Sequence, residues 1–325
     1  MMTMANNYPR IAADMPPEAG GIWPVLHKAP YTLETIAPER RSELAPLLGG
    51  LTIRLRQSDE VRAYATTHRE IVLTRGLADC LWCAAYAYYV FRLEIERQIR
   101  ERGNWSVIAA DQGEPIDSAF RLLGASLVSA AGGGPVEWGT LPQPVPPTEP
   151  QKDSALETKV GEMTLGALGF ILHHELAHVR LGHVAADAGS ASWTLDQERE
   201  ADTAAIDWIL GMAFENERAV AKRAWAVVIP TTFLTALHLV ACRDGASVAG
   251  EQQTHPHPYD RLDKVIQHDA VQRSDLLRTT MTSLACASLI PHIRMAEVTI
   301  SEGPYEDYPE LYEACLDALA NVLGR

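Results

Sequence analysis

The sequence predicts a mainly α-helical fold, α+β with at most a small sheet. Three observations carry this: long stretches with apolar residues at helical spacing, two capping-box helix starts in the second half, and few strand candidates. The chain has 325 residues, 47% of them hydrophobic, enough for a sizeable core. Its formal net charge is −14. An acidic chain repels phosphate, so nucleic acid is not expected as a partner.

From Ser58 to Arg102 the pattern reads as helix, with Leu77, Cys80, Leu81, Ala84, Tyr88 and Phe91 on one stripe and Gly76 as a candidate interruption. The first ~30 residues, rich in Pro and Gly, read as loop. A second helix is expected over Ser118–Ala131. Five prolines between Leu141 and Pro150 mark an extended strap or linker. The expected organisation is therefore an N-terminal, mostly helical region (1–140), a linker (141–153) and a second domain (154–325). In that domain Ser154 and Glu157 form a capping-box sequence for a helix running to Leu181, with Gly182 as its stop. Thr194 and Gln197 start another. A third helical region covers Glu215–Cys242, and a last one Glu310–Leu323. Strand candidates are Leu51–Leu55 and Trp105–Ala109.

Ala224–Cys242 contains no Asp, Glu, Lys or Arg and is near the minimum length for a membrane span. Pro230, three threonines and His238 suit a packed interior better than lipid, as one helical region or as two shorter helices meeting at Pro230. The N-terminus shows no basic segment followed by an apolar one, so no signal peptide is expected and a cytoplasmic setting is. Five scattered cysteines do not suggest a disulfide framework, and Cys80 and Cys83 read as buried structural thiols.

The chemistry sits in His174-Glu175-Leu176-Ala177-His178. Histidines four apart lie on one helix face and can share a zinc ion. Glu175, about 100° round the helix, suits a general base acting on water rather than a ligand. Leu165, Leu168, Leu172, Leu176 and Val179 form the opposite, core-facing stripe. A third ligand is available in Glu198, with Glu200 as the alternative. Asp202, one turn on, can accept the outer N–H of a ligating histidine. The bland reading, an acidic first turn favoured by the helix dipole, does not explain Ala201 and the apolar stripe that follows. A third histidine at the metzincin spacing is lacking: His183 comes five residues after His178, with Gly182 at four, and reads as a helix-end cap. His173 reads as structural. Downstream, Thr254-His255-Pro256-His257-Pro258-Tyr259 forms an extended approach to a helix. Its histidines or Tyr259 could stabilise an oxyanion, and Arg261 could pair with an acid near the metal. A proline turn with surface histidines reads equally well.

Taken together, His174-Glu175-x-x-His178, Glu198-x-x-Ala201-Asp202 and His255-Pro256 followed by Arg261 resemble the gluzincin peptidases of the HtpX and CAAX-prenyl-protease type. They also resemble the phage-exclusion (Lit-type) peptidases of bacteria. The resemblance covers roughly residues 154–270. It implies a zincin-like helical core and a zinc endopeptidase with His174, His178 and Glu198 as ligands and Glu175 as base. It also implies a protein or peptide substrate and a role in phage defence. A cytoplasmic endopeptidase with an open cleft would endanger its own host, so restraint is expected, by a narrow cleft, by the N-terminal region or by a protein or peptide activator. Only fifteen residues separate His178 from Thr194, with no span among them, which favours the Lit-like branch over the membrane-embedded one. Two rivals remain. One is an ImmA/IrrE-like regulatory metallopeptidase that cleaves a repressor. The other is a non-catalytic zinc-binding module, for which Glu175 would have no use.

Overall fold

The computed structural model describes residues 8–102, 113–132, 134–141, 155–183, 194–211, 217–243, 258–296, 298, 300 and 308–323. Helices dominate and are joined by one four-stranded sheet, as the sequence predicts. The strands are β1 (Arg10–Ala13), β2 (Thr52–Arg56), β3 (Ala63–Ala65) and β4 (Glu70–Thr74), in the order β1-β2-β4-β3. β1 and β4 flank β2 in parallel, and β3 pairs antiparallel with β4 as an edge strand.

The sheet corrects two expectations. The helix read from Ser58 begins only at Arg75, because Glu70-Ile71-Val72-Leu73-Thr74 has the β-branched, buried character of an inner strand. The first ~30 residues are not mere loop. They hold β1 and the short helix α1 (Trp23–Leu26), which buries Trp23, Val25 and Leu26. Further short helices follow, α2 (Thr32–Thr35) and α3 (Arg41–Leu48). Elements of four residues are too short to show a period, so the sequence could not announce them. The Leu51–Leu55 strand is present as β2; Trp105–Ala109 lies outside the described residues.

The long helices are α4 (Arg75–Arg102), α5 (Glu114–Gly132), α6 (Ala155–Leu181), α7 (Leu195–Leu210), α8 (Glu217–Arg243), α11 (Asp275–Met295) and α12 (Tyr308–Leu323). Between α8 and α11 lie the shorter α9 (Pro258–Ile266) and α10 (Asp269–Gln272). α6 is the central one. It packs against α2, α4, α7 and α8 and is buried almost all round from Met163 to His178. Its crossing with α8 needs Gly166, where a Cβ would stand 3.2 Å from the Ala226 Cβ. α8 is a single helix through Pro230. Its stretch Ala219–Leu237 is long and apolar enough to cross a membrane, yet most of it is buried inside the protein. Desolvated packing offsets the backbone hydrogen bond that Pro230 removes. α11 was not legible in the sequence. It is buried on nearly every side and so carries no amphipathic stripe. The proline-rich segment lies outside the described residues from 142 onward; α4 before it and α6, α8 and α11 after it share one core.

One buried polar pair joins α4 to α11. The Tyr88 hydroxyl and His292 Nε2 share a hydrogen bond of 2.6 Å, with both residues enclosed. Burial holds the His292 imidazole down at about 3. The folded state therefore refuses a proton that the unfolded chain accepts near pH 6.5. Stability falls as pH drops from about 6.5 toward 3, by about 1.4 kcal/mol per pH unit for this group. His292→Gln should flatten that slope. Urea midpoints of the parent and variant between pH 7 and 4.5 test it, and parallel profiles would rule the penalty out.

Candidate metal and catalytic site

The site is built on the last turns of α6. Leu168, Leu172 and Leu176 are buried in the core, and Leu165 and Val179 pack partly buried against it. This anchoring fixes the rotation of α6 and with it the face that carries His174 and His178. α7 is placed by its capping box: the Thr194 hydroxyl accepts from the Gln197 N–H (3.2 Å) and the Gln197 side chain accepts from the Thr194 N–H (3.0 Å). Its next residue, Glu198, is turned inward and is 1% exposed, which an ordinary acidic helix start is not.

Three donor atoms converge there. His174 Nε2 and His178 Nε2 are 3.1 Å apart; Glu198 Oε2 lies 3.4 Å from the first and Glu198 Oε1 3.3 Å from the second. Zinc binds nitrogen and oxygen at about 2.0–2.2 Å, so the edge of its tetrahedron is roughly 3.3 Å. The nitrogen–nitrogen separation is close to that edge, and each imidazole has a carboxylate oxygen at a similar distance, though not the same oxygen. Two imidazoles and a carboxylate are also a chemically suitable donor set, so this buried group could bind a metal.

Behind His174 stands an ion-paired support. Its Nδ1 is 2.9 Å from Asp202 Oδ1, and Asp202 is gripped by Arg261 of α9 through two bonds of 2.7 and 2.5 Å. Burial pushes the Asp202 carboxyl up, but Arg261 and His174 outweigh it and hold it at about 2. Burial likewise pushes His174 down, and the Asp202 and Glu198 carboxylates win, raising it to about 10.

Glu175 is buried, accepts a backbone hydrogen bond from Ala65 of β3, and has its Oε2 without a hydrogen-bond partner among the described residues. Burial raises its pKa; the two histidines oppose this and Glu198 reinforces it. That is the direction a carboxylate needs to act as a base near neutral pH. The edge strand explains the Ala65 contact. Thr66 and Thr74 N–H groups bond Glu70 and Arg62 carbonyls across the β3–β4 pair. Antiparallel alternation then turns the backbone groups of Ala63 and Ala65 off the sheet, on the side where Glu175 lies. Ala63 and Tyr64 line a cleft of about 420 Å³ that also exposes His174, Glu175 and Glu198, with an apolar wall from Leu81, Phe170, Phe233 and Leu237.

The structure thus brings together His174, Glu175, His178, Glu198, Asp202 and Arg261. Arg261 lines the cleft but spends its charge on Asp202, 3.9 Å from Glu198. Glu200 is not brought to the cluster; its side chain, 63% exposed, meets His183. His183 does cap α6, its N–H bonding the His178 carbonyl at 3.0 Å. His173 is buried, bonds the Leu33 carbonyl and stacks on Trp208, as a structural histidine would. Cys80 and Cys83 are buried thiols. His255 lies outside the described residues, and so does the side chain of Tyr259. The sequence reading missed Ala65, whose contribution is a backbone N–H and leaves no trace in residue type.

A family model described as Peptidase U49 matches residues 71–281. The chain belongs to the peptidase U49 family. The match runs from β4 into α11 and contains the whole donor cluster with Glu175, Asp202 and Arg261. The chain is also 24% identical over 275 residues to the cell death peptidase of Escherichia coli (strain K12), covering 80% of this chain and 85% of that protein. No solved structure matches it. The protease reading of the sequence is borne out at this level.

Removing one partner of a buried ion pair strands the other, at about 3–5 kcal/mol. Asp202→Ala should therefore lower the unfolding free energy of this U49 peptidase by that order. Denaturant unfolding of metal-stripped protein measures it, and a loss under about 1 kcal/mol would show that Asp202 and Arg261 do not depend on each other.

Proposed function

We propose that this U49 peptidase is a zinc-dependent endopeptidase. The observation that carries the reading is the convergence of the buried His174, His178 and Glu198 donors, beside a base whose second carboxylate oxygen has no hydrogen-bond partner among the described residues, on a cleft. His174, His178 and Glu198 would hold the ion. When bound, zinc supplies Lewis-acid polarisation of the scissile carbonyl and makes water acidic enough to lose a proton near neutral pH. Glu175 takes that proton and delivers it to the departing amide nitrogen. Its Ala65 hydrogen bond steadies one oxygen while the other works. Asp202, itself held by Arg261, keeps His174 in the tautomer that offers Nε2 to the ion. The outward N–H and C=O of Ala63 can pair with the main chain of an extended protein substrate, and the wall of Leu81, Phe170, Phe233 and Leu237 suits an apolar side chain next to the scissile bond.

The likeness to a cell death peptidase and to the phage-exclusion peptidases supports a role in phage defence, with a host or phage protein as substrate and a partner that releases activity. An endopeptidase of this kind inside its own host needs such restraint, and binding energy from an activator can supply it.

Purified protein should hold about one zinc per chain, and His174→Ala or His178→Ala should remove it. Glu175→Gln should keep zinc and abolish proteolysis, because an amide takes no proton. The measurements are elemental analysis and cleavage of unfolded casein and of a bacterial lysate before and after phage infection. Retention of zinc in both histidine variants, or undiminished cleavage by Glu175→Gln, would overturn the reading. A discrete cleavage in infected lysate with casein untouched is the expected pattern; broad digestion of both would remove the activator.

A further inference from the structure

The two candidate metal histidines are supported differently. Behind His174 is the Asp202–Arg261 pair. Behind His178 is another histidine: His183 Nδ1 lies 3.2 Å from His178 Nδ1, and His183 Nε2 lies 3.0 Å from Glu200 Oε2. The rings meet at 66° with centroids 5.3 Å apart, so the contact is edgewise through nitrogen rather than stacked. This geometry is produced by the end of α6. Gly182 has φ +71°, the left-handed conformation in which glycine carries no Cβ penalty. It turns the chain back so that the His183 N–H caps the His178 carbonyl and its side chain is buried beside the ring of His178.

The proton positions follow from the donor inventory. A neutral imidazole has one N–H and one lone pair. If His178 gives Nε2 to the cluster, its proton is on Nδ1 and is donated to His183 Nδ1. His183 must then carry its own proton on Nε2 and donate it to the Glu200 carboxylate. Every contact in the row becomes N–H to acceptor in this arrangement.

We propose that His183 and Glu200 are positioning residues for the metal site, fixing the ring and tautomer of His178 as Asp202 and Arg261 fix those of His174. The proposal rests on the zinc-site reading above. It assigns work to a histidine whose backbone cap alone would be satisfied by any residue at this position, and to an exposed glutamate two residues from the candidate ligand.

The test compares the parent with His183→Ala, His183→Asn and Glu200→Ala, each metal-stripped and titrated with zinc against a chromophoric chelator. Loss of an outer-shell partner typically costs 10–100-fold in metal affinity. His183→Ala should show a loss in that range. His183→Asn, whose side-chain oxygen can accept from the His178 N–H, should recover much of it. Glu200→Ala should show a smaller loss with an unchanged metal-free melting temperature, because its side chain is exposed and water can replace it. That variant keeps the proposal testable should His183→Ala fail to fold. The visible spectrum of the cobalt-loaded proteins should shift in His183→Ala and return toward the parent in His183→Asn. A zinc affinity within about threefold of the parent in His183→Ala, or in Glu200→Ala should His183→Ala not fold, would overturn the proposal and leave the zinc site standing. A parent that binds no zinc would overturn both.

Discussion

Burying a carboxylate as deeply as Asp202 is costly unless a cation meets it, and here Arg261 does so with two nitrogens. The other side of the same carboxylate faces His174. One ion pair therefore ties three helices: α9 through Arg261, α7 through Asp202 and α6 through His174. Side chains from all three must be desolvated together for any one of them to be tolerable. Replacing Arg261 would leave the acid stranded, and withdrawing α7 would strand the arginine. The registry of α7 against α6, which decides where Glu198 falls relative to His174 and His178, is held by this requirement as much as by apolar packing.

The two supports behind the histidines differ in their exposure. Asp202 itself is buried, while the His178 side ends on Glu200 at the surface. A buried ion pair gives geometric stiffness, and an exposed carboxylate on a buried histidine is softer because water competes for it. The cluster thus has a rigid flank and a compliant one. Its third side is different again: Glu175 is steadied by the backbone of a strand, whose position is set by the sheet and not by a rotamer.

How much of this was legible depended on the length and one-sidedness of each signal. The α6 site could be read because two histidines, a glutamate and a leucine stripe repeat over several turns. The α7 start could be read because a capping box is a local pattern with a local cause. Glu198 and Asp202 followed from one-turn spacing. What the sequence hid was of two kinds. α11 and the short helices before β2 lack a period that distinguishes buried from exposed faces. The strands β3 and β4 were absorbed into a helix because Leu77, Cys80 and Leu81 continue so strongly that the segment before them was drawn in. The side-chain contact of His183 with His178 was hidden by its cap, since a residue after a stop glycine already had an explanation.

The part of the site that comes from the N-terminal half depends on a glycine that a helix reading treats as a flaw. Gly76 stands in the first turn of α4, and a Cβ there would collide with the carbonyl of Asp59. The loop before β3 crosses so close to α4 that the Gly76 N–H bonds the Ser58 carbonyl at 2.9 Å. Thr74 completes the clamp: its hydroxyl donates to the Glu60 carbonyl and accepts from the Arg62 N–H. Held in this way, the chain enters β3 at a fixed height, so Ala65 meets Glu175 and Ala63 faces the cleft. A bulkier residue at 76 would push the loop outward, and the first structure to move would be the edge strand. The start of α4 therefore sets the distance between Glu175 and the edge strand that lines the cleft. Ala63 and Ala65, from the N-terminal half, are thereby placed beside the cleft and Glu175.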